Sequence, residues 1–371
     1  MTILDSKEKT RVVVFHQGAL GDFLMAASAI EELAAASRGA CIDLWTKPEH
    51  AALLRAKSYV GNCYCPDGAL VACLLQDSLW QSTSLPDFLL KADQVLIFGQ
   101  AGSRVMAERL ARRLCAKVSW IQSFPTMNNA DTHVSHFLRR QLKELGYSMG
   151  CKPIRLLPTS DEKREAGDFL NRLGIFSPPI LVHPGSGGRR KVWPLRDWHA
   201  LIEWMRTELS FQVLLSIGPA DEYLDEFSRA MREAGVSIVS GLSAVGLCAL
   251  LSLCGLYIGS DSGVSHLAAA VGIPAIAVFG PTDPRVWGPR ETNAVAVRRR
   301  WEESEVLAYV HAPQGLPGTR SEVGERPRGA WGSFQDKEIA GLVLAMVHGG
   351  DCRATFGCNS KDSQSTEIHN A

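Results

Sequence analysis

The sequence predicts an α/β chain built from two parallel sheets, each wound with helices, and three observations carry that reading. Runs such as Arg11 to Phe15, Gln94 to Phe98 and Ala275 to Phe279 show no polar alternation. A strand of that kind belongs in a parallel sheet covered on both faces. Between such runs lie segments with helical spacing of apolar residues, which gives the strand-helix-strand rhythm of a parallel fold. The chain has 371 residues at 46% hydrophobic content, enough for two cores. Pro153 and Pro158 break the pattern between them. The expected organisation is therefore residues 1–155 as a first domain, 156–348 as a second, and a polar, aperiodic tail, 349–371, that should be disordered.

In the first half, Arg11 to Phe15 is the opening strand. It feeds His16-Gln17-Gly18-Ala19-Leu20-Gly21-Asp22, and a helix is expected from about Phe23 to Ala36, with Leu24, Ala27, Ile30, Leu33 and Ala34 on one face. Cys41 to Trp45 is the second strand. The glycines make the first turn tight, but their spacing is not that of the dinucleotide fingerprint, so a nicotinamide cofactor is not supported. Asp22 sits where the turn becomes the helix, and a cap is the simplest role for it. Gln94 to Phe98 and Val118 to Ile121 read as further strands around a helix from Ser103 to Leu114. Residues 63–90 have no clear period and are expected to be an irregular excursion. Thr132 to Leu145 is amphipathic, and its His133, His136, Arg139 and Arg140 are expected to form a solvated face.

In the second half, a charged helix from Asp161 to Leu173 precedes the strand Ile180 to Val182. The next stretch, His183-Pro-Gly-Ser-Gly-Gly-Arg-Arg-Lys-Val-Trp-Pro194, gathers Ser186, Gly188 and Lys191 at a strand end, where exposed N–H groups and positive charge favour an anion. Pro194 fixes the exit into a helix that runs to about Glu208. Gln212 to Ile217 is the next strand, and Asp221 and Glu222 follow in its turn. An apolar helix is expected over Leu242 to Cys254.

The stretch from Leu256 to Pro289 organises this half. Leu256 to Ile258 reads as a strand, residues 259–263 as a tight turn, Val264 to Val271 as a helix of small residues, and Ala275 to Phe279 as a second strand. A helix opening at Ser262 and Gly263 leaves backbone N–H groups unpaired and suits a phosphate. A plain cap by Asp261 or Ser262 is the competing explanation. The turn Phe279-Gly280-Pro281-Thr282-Asp283 ends the next strand on the same edge.

Composition narrows the function further. Lys plus Arg and Asp plus Glu are both 39, so no global field points to nucleic acid. With no long apolar run and a polar start, the protein is expected in the cytosol. The ten cysteines are scattered and are expected to be reduced and buried. Neither Cys63 with Cys65 nor Cys352 with Cys358 has zinc-ligand spacing, so no metal is expected. Arg298 to Arg300 beside Trp301 could touch anionic lipid, although a solvated run explains them as well.

Together, Gly21-Asp22, the Gly-rich Lys191-Val-Trp-Pro194 string and Gly259-Ser-Asp-Ser-Gly-Val-Ser-His266 through Pro289 resemble glycosyltransferase family 9, the ADP-heptose:lipopolysaccharide heptosyltransferases. The resemblance implies a GT-B fold, two Rossmann-like domains facing each other across a cleft. It implies that Asp22 is the catalytic base, that Lys191 contacts donor phosphates, that Glu222 meets the ribose and that Asp261 meets the donor sugar. His266 would support that turn or touch the donor. The implied reaction is inverting and metal-independent, with no cofactor. It moves heptose from ADP-heptose to a lipid-linked inner-core acceptor at the cytoplasmic membrane face, with peripheral membrane contact. His16 and Gln17 depart from the basic residue many relatives carry, and residues 310–331 look like an unfamiliar insertion. Two alternatives share the fold: a 2-epimerase-like isomerase of another nucleotide sugar, and a binding-only descendant.

Overall fold

The computed structural model describes residues 10–37, 39–126, 131–306 and 336–347. The chain divides into two compact units, Met1–Gln314 and Gly315–Ala371, and both sheets lie in the first. The first half holds β1 (Arg11–His16), α1 (Leu20–Ala36), β2 (Cys41–Thr46), α2 (Pro48–Leu54), β3 (Val60–Tyr64), α3 (Ala69–Leu75), α4 (Asp87–Leu90), β4 (Gln94–Gly99), α5 (Ala101–Ala111), β5 (Lys117–Gln122) and α6 (Val134–Glu144). The second holds α7 (Ser160–Arg172), β6 (Ile180–His183), α8 (Leu195–Thr207), β7 (Val213–Ile217), α9 (Asp225–Glu233), β8 (Ser237–Ser240), α10 (Ala244–Leu251), β9 (Leu256–Ser260), α11 (Gly263–Val271), β10 (Ala275–Phe279), α12 (Pro284–Trp287), β11 (Ala294–Arg298) and α13 (Glu303–Val306). Short 3-10 turns cover Arg189–Lys191 and Glu222–Leu224. In the other unit the described element is α14 (Lys337–Val347), which opens with Asp336 accepting the Ile339 N–H through Oδ1.

Every strand pairing is parallel, in the orders β3-β2-β1-β4-β5 and β11-β10-β9-β6-β7-β8. In each sheet the chain runs outward from its first strand and then crosses back to that strand's other side. The reversal falls between β1 and β4 in one sheet and between β6 and β9 in the other. Open α/β sheets bind ligands at the carboxyl ends of the strands flanking such a reversal. Asp22 follows β1, Lys191 follows β6 and Asp261 follows β9.

The unbroken apolar runs of the central strands are explained by two-sided burial. Val12 and Val14 face the core that also holds Phe23, Ile30, Leu181, Leu214 and Leu267, so one hydrophobic cluster draws on both sheets. Val13 and Phe15 face the opposite way, against Trp45, Ile97 and Leu110. Helices α1 and α11 pack on one another. Small residues make this close approach feasible: Ala268, Ala269 and Ala270 are fully buried.

Several expectations need correction. Helix α1 starts at Leu20 rather than Phe23, because Asp22 Oδ2 accepts the Ala19 N–H at 3.2 Å and so closes the first turn early. The stretch 63–90 is partly regular, with the edge strand β3 and helices α3 and α4. Helix α6 presents only half of the expected solvated basic face: His136 and Arg140 are exposed, but the other two residues are not. His133 and Arg139 are buried. Arg139 donates to Glu32 Oε1 and Ser28 Oγ, both at 3.2 Å, and to the Lys152 carbonyl at 2.9 Å. His133 caps its own helix by accepting the Ser135 N–H, and its Nε2 bonds the Gly288 carbonyl at 2.8 Å, tying the two halves together. Among the cysteines whose burial is described, only Cys248 and Cys254 are buried, while Cys63, Cys65, Cys115 and Cys151 are exposed; none of them is in a disulfide. The tail 349–371 and the insertion 310–331 lie outside the described residues. No helix among the described residues is long and apolar enough to cross a membrane.

Candidate active site

The donor-side turn is a network that ties the ends of β6 and β9 together. Ser186 Oγ donates to the Asp261 carbonyl at 2.7 Å, and Ser260 Oγ donates to the Pro184 carbonyl at 2.6 Å. Ser265 Oγ closes the turn from the helix side by donating to the Ser260 carbonyl at 2.7 Å. These hydroxyls are buried, so each satisfies a backbone group that would otherwise cost free energy. The result is a rigid turn that spends its side chains on its own backbone. Helix α11 then opens with no side-chain cap from Ser262, so the simple capping explanation for this pair fails. An uncapped N-terminus in which Gly263 carries no side chain is suited to receive an anion.

Lys191 reaches into this turn. Its ammonium lies 3.1 Å from Asp261 Oδ2, and Thr282 Oγ1 donates to the same oxygen at 2.5 Å. The flanking arginines of the 189–191 turn are engaged elsewhere. Arg189 stacks over the Tyr223 ring at 5.3 Å, and Arg190 pairs with Glu303 at 3.3 Å. Gly188 starts that turn, its carbonyl accepting the Lys191 N–H at 2.9 Å.

The two acidic residues after β7 separate cleanly. Asp221 is buried and is occupied in holding the scaffold: Oδ2 accepts the Gly218 N–H at 2.7 Å and stands 3.8 Å from His183 Nε2. A Cβ on Gly185 would fall about 2.1 Å from that carboxylate, so the loop after β6 is pressed against it. Burial also pushes the His183 pKa down and keeps the ring neutral. Glu222, the next residue, is exposed. Of the pair, Glu222 is the one available to a ligand.

The first half meets this turn through two glycines. A Cβ on Gly263 would fall 2.8 Å from the Gly21 backbone nitrogen, and one on Gly21 would fall 3.3 Å from Gly263 Cα. Two helix starts therefore touch, backbone to backbone. That contact brings Asp22 within the field of both Lys191 and Asp261. Burial raises the Asp22 pKa above the ordinary carboxylate value; the Ala19 N–H and Lys191 oppose the rise, and Asp261 adds to it. A carboxylate with a raised pKa is a better proton acceptor than an exposed one.

His266 is buried one turn into α11, 3.4 Å from where a Gly21 Cβ would lie. Burial lowers its pKa, with Asp261 and a hydrogen bond to the Trp287 carbonyl acting against that. These contacts tie the ring to the turn before α11 and to Trp287. On its other side lies a cavity of about 200 Å³ that His133, Arg139 and Glu291 also line, and Asp22 and Lys191 do not. His16, where a basic residue was expected, is buried with its pKa lowered to about 3, so it contributes no positive charge at neutral pH.

Sequence reasoning missed two contributors and one contact. Tyr223 clamps Ser186, its hydroxyl accepting the Ser186 N–H and donating to the Ser186 carbonyl, each at 3.0 Å. Thr282 holds Asp261, although its turn had been singled out by position. Gly21 and Gly263 are both marked by the sequence, one in the Gly21-Asp22 pair and the other at the anion-binding helix start, but nothing in either local pattern signals that they meet. Among the described residues no three His, Cys, Asp or Glu side chains converge as a metal site would require.

Residues 119–312, more than half of the chain, match the sequence profile of glycosyltransferase family 9 (heptosyltransferase). The chain belongs to this family. Curated relatives include lipopolysaccharide heptosyltransferase 3 of Escherichia coli K12, 27% identical over 47% of this chain and 52% of that protein. Lipopolysaccharide heptosyltransferase 1 of the same strain is 31% identical over 42% of this chain and 47% of that protein. The chain thus spans about half the length of the curated relatives it matches. Among solved structures, E. coli ADP-heptose lps heptosyltransferase II superposes with a TM-score of 0.64 at 17% identity, covering 92% of this chain and 99% of that one. A family 9 glycosyl transferase from Veillonella parvula gives 0.63 at 17% identity, covering 78% and 86%. At such identity the superpositions establish the fold, which is the GT-B arrangement of two parallel-sheet halves. The 119–312 match contains Lys191, Glu222 and the whole 259–266 turn; Asp22 lies outside it.

Proposed function

We propose that this family 9 protein is an inverting glycosyltransferase that moves heptose from ADP-heptose to a lipopolysaccharide inner-core acceptor, without a metal. The observation that carries the reading is the contact of Gly21 with Gly263, because it sets a carboxylate of raised pKa beside an anion-ready helix start and Lys191. Neither half alone would hold both groups.

In this reading the ADP pyrophosphate lies over the N–H groups at Gly263 and beside Lys191, with Ser186 and Gly188 shaping the loop around it. The acceptor hydroxyl attacks the anomeric carbon as the bond to the β-phosphate oxygen breaks, and ADP leaves with the electron pair. Donors already aimed at that oxygen stabilise its charge as it develops and do not have to reorganise. Asp22 takes the hydroxyl proton late, as the new carbon-oxygen bond forms. Attack opposite the leaving group inverts the anomeric centre. Lys191 moves from Asp261 toward the pyrophosphate, and Asp261 and Thr282 meet the sugar hydroxyls. Glu222 reaches the ribose. The acceptor is lipid-linked, so the protein works at the cytoplasmic face of the membrane. The solved relatives support the donor: one is E. coli heptosyltransferase WaaC with ADP, TM-score 0.57 at 20% identity over 81% of this chain and 97% of that one.

Calorimetric titration with ADP, UDP and GDP, without and then with magnesium, tests the donor. Metal-independent binding of ADP in preference to the other two, weakened in Lys191→Ala, is expected; preference for UDP or GDP overturns the donor assignment.

A further inference from the structure

The turn that carries Lys191 is short, exposed on its outer side and made of only three residues, Arg189–Lys191. A turn of that kind is held by what lies against it, and here the support comes from more than a hundred residues further along the chain. Trp301 Nε1 donates to the Arg190 carbonyl at 3.1 Å. The same indole lies flat against Gly280, where a Cβ would fall 2.3 Å from ring atom Cζ2 and 2.4 Å from Cη2. Glu303 pairs with Arg190 at 3.3 Å, and Glu305 pairs with Arg196, on the following helix, at 3.0 Å. Arg299, two residues before Trp301, is tied to the end of β10 by its N–H, which donates to the Phe279 carbonyl at 2.7 Å.

We infer that Trp301 is a positioning residue for the donor-phosphate lysine: the segment from Arg299 to Val306 straps the 189–191 turn onto the end of β10 and so fixes where Lys191 points. The inference rests on the proposed donor site for its functional consequence, but the strap itself is a feature of the free protein. The two ion pairs are exposed and add little. The indole does most of the holding, through one hydrogen bond to a backbone carbonyl and a ring face seated on a residue with no side chain. Gly280 is the seat. Any larger residue there displaces the ring, and the sequence places that glycine directly after β10, in the turn that ends this strand on the ligand edge.

The geometry also explains why the neighbouring basic run is not simply solvated. Arg298 and Arg300 are exposed, whereas Arg299 and Trp301 between and after them are partly covered. An alternation of this sort is what a strap lying along a surface produces.

The test reads the turn directly, in the full-length free protein, by its own chemistry. Arg189, Arg190 and Lys191 are three adjacent trypsin sites, and cleavage there requires the turn to leave its place. Trp301→Ala should speed cleavage at these sites about ten-fold. Trp301→Phe, which keeps the ring on Gly280 and loses the N–H, should speed it about three-fold. Gly280→Ala should match Trp301→Ala, and the double variant should be no faster than either alone, since both remove one contact. ADP affinity, followed by calorimetry, should fall about ten-fold in Trp301→Ala and recover in part in Trp301→Phe. In a Lys191→Ala background the Trp301 substitution should change ADP affinity less than two-fold, an outcome that general loosening would not produce. Unchanged cleavage in both Trp301 variants, or additive effects of Trp301→Ala and Gly280→Ala, overturns the strap. Altered cleavage with no ADP binding by the unsubstituted protein leaves the strap standing and removes the donor reading. Altered cleavage with intact ADP affinity in Trp301→Ala overturns the positioning role.

Discussion

Two aspartates follow two strands at corresponding places in the two sheets, and the structure treats them in opposite ways. Asp261 lies before its helix begins, is buried, and has one oxygen held by both Lys191 and Thr282. Asp22 lies inside the first turn of its helix, takes the Ala19 N–H, and is left with a raised pKa because burial outweighs the Lys191 charge. The same side chain is pinned by a cation and a hydroxyl in one half and, in the proposed reaction, is the group left to take a proton in the other. What differs is the company: Asp261 has a cation at contact distance, and Asp22 feels that cation only at longer range. Chemistry is set by environment rather than by residue type or by position after a strand.

Substituting the aspartates one at a time should break the comparison most visibly. Asp22→Asn should lower the rate of ADP release from donor plus acceptor by about 10²–10⁴, the span of a lost general base, with ADP affinity changed less than two-fold by calorimetry. Lys191→Ala should weaken ADP binding by about ten- to a hundred-fold, the scale of one charge-assisted contact, while Asp22 keeps its role. Equal loss of ADP affinity in Asp22→Asn and Lys191→Ala would show that the two sites are not distinct in function.

The pH profile sharpens the same contrast. Asp22 must be ionised to accept a proton, so kcat/KM should fall as pH drops through its pKa, which lies above the ordinary carboxylate value. Lys191 lowers that pKa and Asp261 raises it. The acidic limb should therefore move to higher pH in Lys191→Ala and to lower pH in Asp261→Asn. Shifts in the same direction in both variants would contradict the field described here.

For Asp22 itself the effect on stability is the smallest of these, and its sign is fixed by linkage. A carboxyl whose pKa is higher folded than unfolded favours the folded state below the unfolded pKa, and that favour is lost as pH rises through the folded value. At neutral pH the charged Asp22 therefore costs stability, and Asp22→Asn should raise Tm slightly at pH 7 and not at pH 3. A lower Tm at pH 7 would mean that the Ala19 bond outweighs burial. Arg139→Ala gives the structural counterpart. Breaking its buried pair with Glu32 should cost about 3–5 kcal/mol in a denaturation series, because Glu32 is also buried.

Much of the fold was legible because its signals are local. The runs in β1, β4 and β10 lack alternation, the glycines mark tight turns, and both strand-helix-strand units could be read directly. Parallel sheets then gather the turns on one edge by rule, so Lys191, Asp261 and Gly263 could be grouped without coordinates. What could not be read is contact between distant segments. His133 and Arg139 show the same periodicity as a solvated face, yet they are buried because Gly288 and Glu32 lie against them. Gly21 and Gly263 are each marked by local motifs, yet nothing in those motifs shows that the two helix starts meet. Trp301 sits in a basic run with no motif around it, and its partner, the Arg190 carbonyl, has no sequence signature at all.

The most direct test of the central claim uses purified protein, ADP-heptose and a lipopolysaccharide inner-core acceptor, with ADP release followed in the unsubstituted protein and in Asp22→Asn, and ADP affinity measured in both. The account predicts matching affinities, acceptor-dependent release in the unsubstituted protein, and release reduced by at least about 10² in the variant. Release by Asp22→Asn at the unsubstituted rate would show that Asp22 is only the cap of its helix, and that the proton leaves by another route.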